Sequence, residues 1–85
     1  MFIHIGQDTV VIDKEIIGIF DMDNTTVMKS TREYINTAAK NGECIYVSLE
    51  ELPKSFIVTI KNDEKEVYIS PLNTSTIFKR LKANI

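Results

Sequence analysis

The chain has 85 residues, a net charge of −2 and a single cysteine. This length allows one domain with a small hydrophobic core, so a stable fold would gain from self-association. One cysteine excludes an internal disulfide and a cysteine-cluster zinc site. The apolar runs are too short for a membrane span or for the core of a signal peptide, and we therefore expect a cytoplasmic protein.

Three short apolar runs occupy the first twenty residues. Residues 2–5, 9–12 and 16–20 are rich in β-branched and aromatic side chains, and polar residues separate them. These runs predict three strands joined by tight turns. Because the turns are too short for a helical crossover, we expect these strands to be antiparallel.

The third run leads into an acidic motif that resembles the first motif of the haloacid-dehalogenase phosphatases. In that family a strand ends in Asp-x-Asp-x-Thr, and the first carboxylate, here Asp21, is the nucleophile. Such an enzyme needs a parallel, helix-covered sheet, which this chain does not predict. A calcium loop also fails, because its sixth and twelfth positions carry neither glycine nor glutamate. We expect Asp21, Asp23 and Asn24 to form the turn before a helix.

The central part of the chain predicts a helix followed by a short strand. Ser30 and Glu33 have the spacing of a capping box, which predicts a helix over about residues 31–40. The Asn-Gly pair at 41 and 42 is typical of a helix exit. Residues 44–47 predict a short strand, and an acidic loop follows it.

The last third predicts a hairpin and a second helix. The apolar runs predict two strands, over residues 56–60 and 67–70, with a polar connection over 61–66 between them. Residues 73–81 place their apolar side chains at helical spacing, which predicts a short C-terminal helix. The whole chain, 1–85, is therefore expected to be one α+β domain: a small, largely antiparallel sheet, a central helix and a short C-terminal helix.

Catalytic and metal-binding groups are not grouped in this sequence. His4 lies in a strand without a second histidine or a neighbouring cysteine, and Cys44 reads as a half-buried strand residue. No glycine-rich phosphate loop and no nucleophile-plus-base pattern occurs. We expect neither an enzyme, nor a cofactor, nor a metal site.

Charge is distributed unevenly along the chain. Residues 1–28 carry five acids and one base, whereas residues 55–85 carry five bases and three acids. The last three bases, Lys79, Arg80 and Lys82, have no acid near them in sequence. An assembly of such chains could present a basic surface although each chain is slightly acidic.

Several stretches resemble, in order and spacing, the DUF370 family, and within it the branch called extracellular matrix regulatory protein B. The resemblance extends over nearly the whole chain. It rests on FIHIGQDTVV, EIIGIFDMDNTT, TREYI, LPKSFIVT and YISPLNTSTIFKR. On this reading, FDMDNTT belongs to a small regulatory fold, and its match to the phosphatase motif is a coincidence.

The resemblance implies a small bacterial protein linked to the expression of biofilm matrix genes. The sister branch, extracellular matrix regulatory protein A, is a DNA-binding activator that looks like a ring-forming oligomer, with a subunit similar to a LytTR-type domain. By analogy we expect a homo-oligomer that binds the DNA phosphate backbone.

The expected DNA-binding residues are Lys54 and Lys14, with Arg80 and Lys79 as further candidates. Lys14 and Lys54 occupy the two regions in which the sister branch presents arginines, and here Glu15 and Glu51 are close to them in sequence. Lysine supplies a point charge without the bidentate fork of arginine. The competing hypothesis is an oligomeric protein-interaction or scaffold module that does not bind DNA.

Overall fold

The computed structural model describes residues 1–22 and 28–83, and within them the chain forms six strands and two helices. This arrangement confirms the predicted α+β class. The strands are β1 (Phe2–Gly6), β2 (Thr9–Ile12), β3 (Ile16–Asp21), β4 (Cys44–Tyr46), β5 (Ser55–Lys61) and β6 (Glu64–Ser70), and the helices are α1 (Met28–Lys40) and α2 (Thr74–Ala83).

Strands β1 and β2 form an antiparallel hairpin that is a sheet of its own. The predicted antiparallel pairing of these two strands is confirmed. Strand β3 does not join them, because a 3₁₀ turn over Asp13–Glu15 redirects the chain and β3 pairs with β5 instead. The turn between β1 and β2 uses Gly6 and Gln7, both at positive φ.

The second sheet has four strands in the order β3-β5-β6-β4. Strand β5 is antiparallel to both of its neighbours, β3 and β6, whereas β4 runs parallel to β6. Asp21 ends β3 opposite Ser55 on an antiparallel neighbour, so the parallel arrangement that a phosphatase of the haloacid-dehalogenase type needs is not formed at this strand.

The β5–β6 connection is shorter than the sequence predicted. Only Asn62 and Asp63 connect the strands, at φ values of 52° and 65°. Two successive residues at positive φ are typical of a type I′ turn, and Asn and Asp tolerate this conformation well. The polar residues on either side of the turn therefore extend the two strands instead of forming a loop.

Helix α1 begins earlier than the capping box predicted. It starts at Met28, so Ser30 lies inside the helix and not at its N-cap position. The Ser-x-x-Glu pattern is also compatible with a helix interior, because both residues are tolerated there. The helix ends as predicted: Gly42 has a φ of 72° and its N–H donates to the carbonyl of Ala39. The predicted turn residues Asp23 and Asn24 lie outside the described residues.

Two apolar clusters form on opposite faces of the four-stranded sheet. The hairpin-side core lies under β1, β2 and α2, and the α1-side core lies under α1. Alternate residues of β5 supply both clusters, as strand geometry requires. The buried members are Ile3, Ile5, Val11, Val47, Ile57 and Ile77 in the first, and Ile35, Ala38, Phe56, Val58, Val67 and Ile69 in the second.

Two buried serines connect the four-stranded sheet to the other elements. Ser55 and Ser70 lie opposite each other on β5 and β6, and both are 0% exposed. The Ser70 hydroxyl donates to the carbonyl of Ile5 in β1 at 2.6 Å and accepts the N–H of Leu72 at 3.0 Å. The Ser55 hydroxyl donates to the carbonyl of Leu72 at 2.8 Å. The pair thus ties the hairpin and the segment before α2 to the main sheet.

Replacing Ser70 by alanine should lower the free energy of unfolding by about 1–3 kcal/mol, because the Ile5 carbonyl loses its donor inside the protein. Urea denaturation measures the change. Ser75→Ala, at an exposed position of α2, is the matched control and should stay within about 0.5 kcal/mol of the wild type. Equal stability of Ser70→Ala and the wild type would contradict the assigned role.

Candidate nucleic-acid interface

The four bases that the sequence singled out lie in three separate places of the subunit. Lys14 lies in the 3₁₀ turn, Lys54 directly precedes β5, and Lys79 and Arg80 lie on α2. All four are exposed. The 3₁₀ turn contacts the last residue of β5, so Lys14 and Lys54 lie at opposite ends of this strand, roughly 20 Å apart. One subunit does not bring the four bases together.

Two acidic residues flank Lys14 in the 3₁₀ turn, and each lies near another cation. The Asp13 carboxylate accepts the backbone N–H of Lys14 at 2.8 Å and lies 3.0 Å from the Met1 ammonium. The hydrogen bond from this ammonium holds the pKa of the Asp13 carboxyl below its ordinary value. On the other side, Glu15 lies 4.0 Å from the ammonium of Lys61. Each carboxylate next to Lys14 therefore has another cation as its partner, and the group keeps about one net positive charge, which is little for a polyanion but does not repel a phosphate.

Lys54 is held by its backbone at the start of β5. Its N–H donates to the carbonyl of Ser70 at 2.8 Å, and its own carbonyl accepts the N–H of Met22 at 3.0 Å. The second bond continues the β3–β5 ladder by one pair. Strand alternation therefore places Lys54 on the same face as Phe56, which is the face that α1 covers.

The loop before Lys54 is acidic and carries two protruding leucines. The Ser48 hydroxyl accepts the N–H groups of Glu50 and Glu51, each at 3.3 Å, which orders the turn. Both glutamates are exposed, and Leu49 and Leu52 are 90% and 82% exposed. The surface beside Lys54 is thus acidic and apolar, which favours a protein contact over a phosphate contact.

Helix α2 is the most basic element of the subunit. It contains Lys79, Arg80 and Lys82 and no acidic residue. Lys79 and Lys82 are three residues apart, so they lie on the same side of the helix, and both are exposed. The opposite side carries Ile77, which is fully buried in the hairpin-side core. The candidate interface is therefore the solvent side of α2, with Lys82 added to the predicted set.

A cluster of three aromatic rings lies on the α1 face. Phe20 stacks on Phe56 with ring centroids 4.8 Å apart, and Tyr34 of α1 lies 6.2 Å from the same ring. Phe56 is buried, whereas Phe20 and Tyr34 are 46% and 38% exposed. No local pattern in the sequence indicates this cluster, because only the β3–β5 register places Phe20 opposite Phe56. Two exposed rings at one place are typical of an interaction surface.

The stack depends on the absence of a side chain at Gly18. A Cβ atom at this position would lie 2.4 Å from the Phe20 ring. Gly18→Ala should therefore displace the ring and lower the free energy of unfolding by about 1–3 kcal/mol. In a Phe20→Ala background the same substitution should cost almost nothing, because the clash is gone. A double-mutant cycle in urea measures this coupling, and additive effects would refute it.

A cleft of about 250 Å³ separates the β1–β2 hairpin from the four-stranded sheet. Phe2 and Val10 form its apolar wall, and Glu15, Glu66 and Tyr68 are among its polar groups. Burial, followed by the negative charges of Glu66 and Glu15, raises the pKa of the Tyr68 hydroxyl. Lys61 also lines the cleft and lies 4.0 Å from Glu15, so the excess charge of the lining is a single negative charge, which does not favour a phosphate.

Among the described residues, no group of three or more His, Cys, Asp or Glu side chains is arranged to hold a metal ion. None of the described helices has the length and apolar character needed to cross a bilayer.

Cys44 is half-buried against the α1-side core, and this burial raises the pKa of its thiol. The reactive thiolate is therefore rarer in the folded protein than in the unfolded chain at the same pH. Alkylation by iodoacetamide at pH 8 should be slower in buffer than in urea, and the rate should rise toward higher pH. Cys44 is the single cysteine of the chain, so the mass of the intact protein measures the alkylation of this one thiol. Equal rates in both solvents would contradict the prediction.

Comparison with known proteins gives two matches that extend over nearly the whole fold. Residues 2–81 match the family model described as RemA-like, extracellular matrix regulatory protein A-like. Over 80 residues the chain is 36% identical to extracellular matrix regulatory protein B of Bacillus subtilis (strain 168), and the match covers 94% of this chain and 89% of that relative.

Proposed function

Because the chain belongs to the extracellular matrix regulatory protein A-like family, we propose that it is a bacterial transcription regulator of extracellular matrix and biofilm genes. It acts in the cytoplasm as a homo-oligomer and binds the phosphate backbone of DNA. Membership in this family confirms the resemblance seen in the sequence, and the family is one of regulatory proteins. The observation that carries the DNA-binding proposal is the basic, acid-free helix α2.

The solvent side of α2 suits a polyanion. Lys79 and Lys82 are both exposed on it, and the helix rise separates them by roughly 4.5 Å along the axis. Along one strand of duplex DNA the phosphates follow each other about every 3.4 Å of the axis, so two flexible lysines at this spacing can each reach a separate phosphate. Such contacts supply affinity without base specificity.

A homo-oligomer is needed because one subunit presents few unopposed bases. The chain has a net charge of −2, and acids lie beside Lys14 and Lys54. Repeating α2 around a closed assembly multiplies the phosphate contacts, and binding by several linked copies is much tighter than binding by one. In this proposal, Lys14 and Lys54 are secondary contacts. They contribute appreciably to DNA affinity only because the assembly contains several copies of each.

A second candidate function is an oligomeric interaction or scaffold module that does not bind DNA. The exposed leucines of the acidic loop and the exposed rings of Phe20 and Tyr34 favour it, because apolar side chains at such exposure are typical of protein interfaces. The two functions differ in where the basic residues of the assembled protein lie: DNA binding needs α2 on the outside.

The test is DNA binding by fluorescence anisotropy at two salt concentrations, with the oligomer mass fixed by light scattering. Lys79→Glu should weaken binding at least tenfold at low salt and reduce the slope of log K against log salt by about 0.9 per lost contact. The oligomer mass should not change.

Lys65→Glu is the matched control for this test. It makes the same charge change at an exposed position beside the β5–β6 turn, at the end of β6 away from α2, and it should bind DNA nearly as the wild type does. Equal loss in both variants would indicate a general charge effect without a site on α2. Absence of binding at low salt by an intact oligomer would favour the interaction module.

A further inference from the structure

Helix α2 is attached to β1 by a charged hydrogen bond. The Arg80 guanidinium donates through Nη1 to the backbone carbonyl of His4 at 2.7 Å. Among the described strands, only β2 pairs with β1, so the other side of β1 is an edge. Unpaired carbonyls along a strand edge need a partner other than a strand.

The ladder register shows that the His4 carbonyl belongs to this edge. The N–H of Asp13 donates to the carbonyl of Met1, which makes these two residues a hydrogen-bonded pair. Bonded and non-bonded pairs alternate along an antiparallel ladder. Three pairs further on, His4 and Val10 therefore exchange no backbone bonds, and the His4 carbonyl points away from β2, where Arg80 reaches it.

Arg80 and Ile77 together form the side of α2 that faces β1. They are three residues apart, so they lie on neighbouring positions of one side. Ile77 is fully buried in the same core cluster as Ile3 and Ile5, and Arg80 adds a charged anchor one turn later. With 3.6 residues per turn, Lys79 and Lys82 fall on the opposite side of the helix.

We infer that Arg80 is a positioning residue that holds α2 on the edge of β1 and thereby orients Lys79 and Lys82 toward the nucleic acid. Arginine suits this role, because a charge-assisted hydrogen bond is stronger than a neutral one and its planar guanidinium has a fixed donor geometry. The orienting role rests on the proposed function, whereas the attachment of α2 does not.

The attachment is tested without DNA, by amide hydrogen exchange of the full chain read by mass spectrometry. Arg80→Ala should raise the exchange rate of α2 amides about five- to tenfold and leave β5 and β6 unchanged. Lys79→Ala, one residue away, is the control and should leave α2 exchange as in the wild type. Wild-type exchange in Arg80→Ala would overturn the inference.

The Arg80→Lys variant keeps the test decisive if Arg80→Ala loses its fold, which faster exchange in β5 and β6 would reveal. Lysine keeps the charge and a donor but lacks the planar fork, so α2 exchange should lie between the wild-type and alanine values. Exchange identical to that of the wild type would contradict a role for the guanidinium geometry.

DNA binding then separates a positioning role from a direct contact. If Arg80 positions the helix, Arg80→Ala lowers affinity at every salt concentration and leaves the salt slope unchanged. If it contacts a phosphate, the slope falls by about 0.9, and with unchanged α2 exchange this result would overturn the inference. If the wild type binds no DNA, the proposed function fails, and the exchange data alone still decide whether Arg80 attaches α2.

Discussion

The buried serine pair on β5 and β6 is the contact on which the rest of the subunit depends. Ser55 and Ser70 satisfy polar groups of Ile5 and Leu72 inside the protein. A hydroxyl is small enough to fit between two sheets and can donate and accept at once. The β1–β2 hairpin and α2 therefore have a defined place on the four-stranded sheet, which hydrophobic contacts alone specify less sharply.

The position of α2 follows from this constraint. The Leu72 backbone is bonded to both serines directly before the helix begins, Ile77 enters the hairpin-side core, and Arg80 reaches the edge of β1. Three successive anchors of different chemistry thus line one side of the segment. The opposite side carries the lysines, so the packing of the helix determines where its charge is presented.

The remaining charges show why a single subunit is a weak partner for a polyanion. Lys14 and Lys54 lie at the two ends of β5; Asp13 and Glu15 flank Lys14 in the chain, and Glu51 lies three residues before Lys54. The surface near Lys54 also holds exposed leucines and aromatic rings. In the proposed assembly, the apolar surfaces would serve contacts between protein chains and the basic helices would serve DNA.

Local patterns in the sequence determined the element types. Short β-branched and aromatic runs located all six described strands, and helix end signals with apolar residues at helical spacing located both helices, because these preferences arise from backbone geometry. Element ends were predicted less well: α1 begins before the expected cap, and the β5–β6 turn needs only two residues. A capping pattern is short and also fits a helix interior, whereas turn length depends on how far the two strands continue to pair.

The sequence by itself also determined the family, through motifs in register along the chain, and it identified the basic C-terminal segment. Only the tertiary structure decided that β3 pairs with β5, that Phe20 stacks on Phe56, and that Arg80 contacts β1 while the lysines of α2 remain exposed. These are contacts between residues far apart in the chain, and they follow from strand register and sheet packing, which no local pattern encodes.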